Sequence, residues 1–115
     1  MVKGIALLKR KPGLTPAEFR EQFEEVHAPL EVSLFPTLKR YLRNYITTNV
    51  LTDGDAEPDF DCIVEHWFDD MEGFQTMVDT SAGDASYALG HSAQVFLDFN
   101  KNVYLLVEEV ESEIT

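Results

Sequence analysis

The stretch LTPAEFREQFEEVHAPLEVSL, residues 14–34, predicts an amphipathic helix with a well-marked start. Thr15 suits the N-cap position, Pro16 suits the first helical position, and Glu18 completes a capping box with Thr15. Counted at helical pitch, the apolar side chains form one stripe: Phe19, Phe23, Val26, Leu30 and Leu34. We therefore expect this helix to pack on the rest of the domain through that stripe.

The most informative residue of this helix is His27, which lies at the edge of the stripe, one turn after Phe23. Pro29 is expected to kink the helix, because it removes a backbone hydrogen bond and crowds the carbonyl group four residues back. We interpret His27 as a candidate general acid/base, since imidazole titrates near neutral pH. The alternative is a structural histidine that is hydrogen-bonded to Glu24 or Glu31.

Length and composition limit the class of protein. A chain of 115 residues predicts a single domain, residues 1–115. The net charge of -12, from 21 acidic and 9 basic residues, argues against nucleic acid and anionic membrane surfaces as partners. The single cysteine, Cys62, excludes an intrachain disulfide and favours a reducing compartment. The start does not read as a signal peptide, and no run approaches the roughly 20 apolar residues of a membrane span, so we expect a cytoplasmic protein.

The order of the predicted elements indicates the fold class. Alternating or β-branched runs predict strands at 2–9, 38–50, 60–68 and 103–110, with a turn at Asp53-Gly54. A second helical region follows Asp69 or Asp70, is interrupted at 80–83 and resumes after a cap at Asp84. The order β-α-β-β-α-β predicts an α+β, ferredoxin-like fold, with a four-stranded antiparallel sheet and helices on one face.

The predicted strands are apolar on both faces, although helices cover one face. In the first strand, Ile5 and Leu7 alternate with Ala6 and Leu8, and the third and fourth strands show the same pattern. The simplest cover for the second face is another copy of the same sheet. We therefore predict a homodimer in which two sheets pack face to face or close into a barrel.

A second histidine strengthens the functional interpretation. His66 shares strand parity with Cys62 and Val64, so the three side chains are expected to face the same side. If helices cover that side, His27 and His66 point into one cavity, although a purely structural pair is the alternative. A register slip of one residue would instead move His66 to the dimer interface.

Other residues extend the candidate site. Tyr41 and Tyr45 share one strand parity, so both either offer phenolic donors to the cavity or belong to the core. His91 either closes the mouth of the pocket or is solvated. As residues that contact a ligand, we predict Phe23, Tyr45, Cys62, Val64 and His91. The sequence shows no spacing typical of metal ligands and no phosphate-binding or dinucleotide-binding motif, so we expect neither a metal nor a cofactor.

Four segments resemble the EthD family: LLKRKPGLTPAEFREQFEEVHAPL (7–30), LKRYLRNY (38–45), DCIVEHWFDDMEGF (61–74) and YLLVEEVE (104–111). This resemblance covers nearly the whole chain and implies the dimeric α/β-barrel superfamily. It also implies a small apolar or aromatic ligand bound between each sheet and its helices. Relatives on this scaffold include cofactor-free cyclases, dehydratases, decarboxylases, muconolactone-type isomerases and anthrone oxygenases.

The resemblance also implies candidate catalytic residues. The histidine, tyrosine and pre-tryptophan positions that line muconolactone-type sites correspond to His27, Tyr41 and His66. Those isomerases carry cysteine at the last position, and Met77 stands where olivetolic-type cyclases have a tyrosine. The leading hypothesis is a cofactor-independent lyase or isomerase acting on a small hydrophobic carbonyl or phenolic compound. His27 would accept a proton, while His66 and Tyr41 would polarise an oxygen.

Two alternatives belong to other functional classes. One is a cofactor-free oxygenase of anthrone-like phenols, and the other is a non-catalytic dimer that binds a small ligand. The same scaffold hosts all three functions, so the fold cannot decide among them.

Overall fold

The structure, a computed structural model, describes residues 1–52 and 57–115. One antiparallel sheet contains β1 (Val2–Leu8), β2 (Arg40–Tyr45), β3 (Cys62–Phe68) and β4 (Val103–Val107) in the order β2-β3-β1-β4. The helices are α1 (Pro16–Gln22), α2 (Ala28–Leu34), α3 (Met71–Ala82) and α4 (Ser86–Ala93), with a π-helical turn (Phe23–His27) and a 3-10 turn (Val50–Thr52). The predicted α+β, ferredoxin-like fold is confirmed.

The boundaries of several elements differ from the prediction. β2 ends at Tyr45 rather than at residue 50, and the turn predicted at Asp53-Gly54 lies outside the described residues. Asp70 caps α3, since its carboxylate accepts a hydrogen bond from the Gly73 N–H at 2.8 Å. The cap predicted at Asp84 is wrong, because Ala85 occupies that position with no side-chain hydrogen bond.

The start of α1 is formed as the sequence predicts. Thr15 Oγ1 accepts a hydrogen bond from the Glu18 N–H at 3.1 Å, and the Glu18 carboxylate accepts one from the Thr15 N–H at 2.9 Å. Both bonds satisfy N–H groups that have no partner inside the helix. This capping box fixes where the helix begins and therefore which residues reach the sheet.

The irregularity predicted at Pro29 takes the form of the π-helical turn, in which the Ala28 N–H bonds to the Phe23 carbonyl. A π turn contains more residues than an α turn and so rotates the positions that follow it. The buried stripe consequently continues through Phe19, Phe23, His27, Glu31 and Phe35. The prediction that Val26 faces the core is wrong, since its side chain is 46% exposed.

The core lies between the helices and the inner face of the sheet. Its main cluster joins helix, strand and loop residues, among them Phe19, Phe23, Cys62, Val64 and Phe96. A second cluster of Phe35, Phe68 and Met77 lies under α3. Alternation along β3 places Cys62, Val64, His66 and Phe68 on this inner face, each of them buried. The register therefore places His66 on the helix-covered side.

The outer face of the sheet is largely apolar. Cross-strand partners on this face include Leu7 with Ile63 and Ile5 with Leu105. Trp67 also lies here, with the Lys3 ammonium 4.4 Å from its ring centroid. Every residue of β4 is at least partly open, and Leu105 is 44% exposed. This surface is the one that the sequence assigns to a second subunit.

Gly4 has a specific role in the inner face. A Cβ atom at Gly4 would lie 2.3 Å from the Tyr104 hydroxyl, so only glycine leaves room for this phenol. We expect Gly4→Ala to lower the free energy of unfolding by about 1–3 kcal/mol through overpacking. The matched substitution is Gly90→Ala in α4, where a Cβ meets no atom within 4 Å. Urea unfolding should show a gain of about 0.5–1 kcal/mol for Gly90→Ala, and equal effects of the two substitutions would contradict this packing.

Within the described part of the chain, no helix is long and apolar enough to cross a membrane.

Candidate active site

A cavity of about 580 Å³ lies between the inner face of the sheet and helices α3 and α4. Its wall is mainly apolar and includes Leu8, Phe23, Phe35, Val64, Met77, Leu89 and Leu97. Four side chains bring titratable groups to this wall: His27, Glu31, His66 and Tyr104. A mostly apolar pocket with a few converging polar groups is typical of a small-molecule site.

Glu31 lies at the centre of the polar groups, with its side chain only 11% exposed. Its Oε2 atom accepts a hydrogen bond from the Tyr41 hydroxyl and lies 3.4 Å from His27 Nε2. Its Oε1 atom lies 3.2 Å from His66 Nε2. One buried carboxylate therefore connects two histidines and a tyrosine, which compensates part of the cost of burying it.

His66 continues this network towards β4. Its Nδ1 atom lies 2.8 Å from the Tyr104 hydroxyl, and the two rings stack with centroids 5.7 Å apart. Its Nε2 atom is buried and, among the described residues, makes no aligned hydrogen bond despite its short distance to Glu31. This nitrogen therefore faces the Glu31 carboxylate inside the protein, and the Tyr104 hydroxyl is the end of the network that lines the cavity.

His27 is held at the other end of the network. Its Nδ1 atom lies 2.9 Å from Ser92 Oγ of α4, and its ring packs against Phe23 and Phe96. The π-helical turn places His27 here, because it rotates this residue rather than Val26 towards the sheet. The imidazole is thus positioned by a hydroxyl on one side and by a carboxylate on the other.

The environment sets the protonation of these groups. Burial lowers the pKa of His27 below its ordinary value of 6.5, although Glu31 acts in the opposite direction. The pKa of Glu31 is lowered even though burial would raise it, because His66, Tyr41 and His27 stabilise the carboxylate. Burial and the adjacent Glu31 carboxylate raise the pKa of Tyr41. At neutral pH the site therefore holds a neutral His27 beside an ionised Glu31.

These shifts predict how stability depends on pH. The pKa values of His27 and Glu31 are lowered in the folded state. Each group therefore stabilises the fold at pH values above its pKa in the unfolded chain, and this stabilisation is lost as the pH falls. The His27 contribution is lost below pH 6.5 and the Glu31 contribution below pH 4.5. Between neutral pH and about pH 5, we expect the melting temperature of His27→Asn to change less than that of the wild type. Parallel pH curves for wild type and variant would contradict this prediction.

The predicted site residues separate into two groups. Phe23, His27, Val64 and His66 line the cavity together. Tyr41 does not line it, because its hydroxyl is bonded to Glu31 and its ring lies against His66. Its predicted position as a donor inside the cavity is therefore corrected.

The remaining predicted contacts lie elsewhere. Tyr45 donates a hydrogen bond to Glu24 and lines a separate surface groove near Arg20. Cys62 is fully buried in the core, and burial raises the pKa of its thiol to about 12. His91 is exposed on α4, where its ring stacks on Tyr87, so the structure places it in solvent rather than at the cavity wall.

The sequence did not identify Ser92 or Tyr104 as members of this network, and it assigned Glu31 no role of its own. Glu31 was considered only as a partner of His27, although its i+4 spacing from His27 is itself a signal. Tyr104 shares strand parity with Leu106, and the structure shows this parity on the inner face. Nothing local marks Ser92. Among the described residues, no group of three or more His, Cys, Asp or Glu side chains is arranged to hold a metal ion.

Comparison with known proteins agrees with this architecture. Residues 11–100 match the family model described as the EthD domain. The chain is similar to a solved EthD family protein from Bacillus halodurans, with 24% identity, a TM-score of 0.68, and coverage of 96% of this chain and 100% of that one. No match was found among curated proteins.

Two further solved structures share the fold at lower identity. A dimeric ferredoxin-like protein of unknown function from Thermobifida fusca is 20% identical, with a TM-score of 0.59 and coverage of 92% of this chain and 88% of that one. A mutant of SnoaB from Streptomyces nogalater, a cofactor-independent oxygenase, is 13% identical, with a TM-score of 0.60 and coverage of 96% and 94%. At such identities these likenesses show the fold alone.

Proposed function

Since the chain belongs to the EthD family, we propose that it is a cofactor-independent lyase or isomerase that acts on a small hydrophobic carbonyl or phenolic compound. The observation that carries this proposal is the buried network of His27, Glu31, His66 and Tyr104 at the wall of an apolar cavity. Two histidines joined by a carboxylate at the wall of a mainly apolar cavity supply acid/base groups from the protein itself.

In this mechanism His27 accepts a proton from the carbon next to a carbonyl group. With Nδ1–H donating to Ser92, the Nε2 atom holds the free electron pair. A proton taken up on Nε2 is stabilised by the Glu31 carboxylate 3.4 Å away. The lowered pKa of His27 keeps the base unprotonated at neutral pH.

His66 and Tyr104 stabilise the oxygen on which negative charge develops. When His66 Nδ1–H donates to Tyr104 over 2.8 Å, the phenolic O–H is free to donate to a substrate oxygen. Tyr104 takes over the role expected of Tyr41, because it lines the cavity and Tyr41 does not. Tyr41 acts as a positioning residue by holding the Glu31 carboxylate.

The test is a thermal-shift screen of the protein against small phenols, enol-lactones, β-keto acids and anthrones, followed by turnover assays of each ligand. A lyase or isomerase is expected to convert its ligand equally well with and without oxygen and after metal chelation. Binding without any turnover of the bound ligands would refute the proposal in favour of a non-catalytic binding dimer.

The second candidate function is a cofactor-free oxygenase. The same buried base can convert an anthrone-like phenol to its anion, the form that reacts with oxygen, and the similar SnoaB structure is described as a cofactor-independent oxygenase. Oxygen uptake that starts on addition of the phenol, measured with an oxygen electrode, separates this activity from the first. Turnover that is unchanged under nitrogen would exclude it.

We also propose a cytoplasmic homodimer formed through the outer face of the sheet. The apolar side chains of this face and the open strand β4 support it, as do similar proteins that are described as dimeric. Light scattering on Ile63→Lys, beside Leu7 on this face, is expected to show the monomer mass. An unchanged dimer mass would place the interface elsewhere.

A further inference from the structure

We infer that the cavity accepts uncharged aromatic or carbonyl compounds and excludes those that carry a carboxylate. This inference narrows the substrate class of the function proposed above and rests on it. It removes β-keto acids and other anionic acids from the candidate substrates. The argument comes from the charges that face the cavity.

The cavity wall offers no fixed positive charge. Among the described residues that line it there is no lysine or arginine, and Glu31 carries the one carboxylate. Arg43, in β2, lies on the inner face of the sheet but does not line the cavity. It donates hydrogen bonds of 2.6 and 2.9 Å to the Glu24 carboxylate. An anionic ligand would therefore meet a buried negative charge without a free cation to pair with it.

The two histidines do not give the cavity a net positive charge. Burial lowers the pKa of His27, so it is neutral at neutral pH. His66 Nε2 lies 3.2 Å from Glu31 Oε1, so a bound anion would have to share this imidazole with a carboxylate that is already present. The whole chain adds a negative field, with a net charge of -12.

The cavity is nevertheless suited to a polar but uncharged group. Tyr104 lines the cavity, and its hydroxyl lies 2.8 Å from His66 Nδ1. This hydroxyl can donate a hydrogen bond to a carbonyl or hydroxyl oxygen of a bound ligand. A carboxylate at the same place would be repelled by Glu31, because burial and the charge of Glu31 already raise the pKa of Tyr104.

The test compares ligands that differ in charge and hardly in shape. Binding of naphthol, naphthamide and naphthoate to the wild-type protein is measured by calorimetry at neutral pH and low salt. We expect naphthol or naphthamide to bind roughly tenfold to a hundredfold more tightly than naphthoate. Naphthoate binding within threefold of naphthamide would overturn the inference, and so would the failure of both neutral compounds to bind.

Two variants assign the effect to Glu31. Glu31→Gln keeps the side-chain volume and an acceptor for Tyr41 but removes the charge. The gap in affinity, that is the ratio of the naphthamide affinity to the naphthoate affinity, is therefore expected to fall at least tenfold. Glu25→Gln changes an exposed carboxylate of the same helical segment and is expected to leave the gap unchanged. Equal gaps in wild type and Glu31→Gln, with circular dichroism showing both proteins folded, would overturn the role of Glu31.

The result of this binding test can be distinguished from the result of the test for catalysis. A neutral ligand that binds but is never converted refutes the catalytic proposal and leaves the charge selectivity standing. Conversion of a carboxylate substrate with normal affinity overturns the selectivity and leaves the acid/base chemistry standing.

Discussion

Replacing His27 with asparagine is expected to lower kcat for an identified substrate by about 10²- to 10⁴-fold, the usual contribution of a general base. Asparagine can keep a polar contact with Ser92 Oγ, at the place of the Nδ1 atom that now lies 2.9 Å from it. It removes the titrating Nε2 atom beside Glu31. The cavity should stay intact, so KM is expected to change far less than kcat. Steady-state kinetics across pH measure both parameters.

The pH profile distinguishes a lost base from a damaged cavity. In the wild type, kcat/KM is expected to fall as the pH drops below the ordinary histidine range, because a protonated His27 cannot accept a proton. The residual kcat/KM of His27→Asn should not show this fall at low pH. The matched comparison is His91→Asn, which changes an exposed histidine outside the cavity. A loss below about threefold in His27→Asn would refute the role of His27 as base.

Replacing Glu31 with alanine is expected to destabilise the protein by about 3–5 kcal/mol, as removal of one partner from a buried charged network does. The substitution leaves the Tyr41 hydroxyl without its acceptor and His66 without its ion-pair partner. It also opens a space in a part of the core where Glu31 is only 8% exposed. The free energy of unfolding from urea titration measures the effect.

Glu31→Gln separates the charge from the packing, because it keeps the shape and removes the charge. Glu31→Gln is expected to lower the free energy of unfolding less than Glu31→Ala does, since the amide still accepts a hydrogen bond from Tyr41. Glu25→Ala, at an exposed position, is expected to change stability by less than about 0.5 kcal/mol. If Glu31→Ala lowered the free energy of unfolding no more than Glu25→Ala does, the network would not stabilise the fold.

The sequence by itself determined the architecture of this protein. The capping box at Thr15 fixed the start of the first helix, because capping depends on residues three positions apart. The alternation of side chains along β3 fixed which residues share a face, since the period of a strand is two. Together with the order of the elements, these local rules were enough for the ferredoxin-like sheet.

Part of the candidate site could also be predicted from sequence. His27 was found from its place on the helix, and His66 from its strand parity with Cys62 and Val64. Parity alone could not say which face the helices cover. The packing of the helices resolved that question, since it buries Cys62, Val64 and His66 on one face.

Only the tertiary structure decided how the site is assembled. The π-helical turn rotated Glu31 into the core, and a regular helical count does not anticipate such a turn. Tyr104 reaches His66 because Gly4, in a neighbouring strand, has no side chain to block it. Ser92 meets His27 from 65 residues further along the chain. These contacts depend on packing between distant segments, and local periodicity carries no information about them.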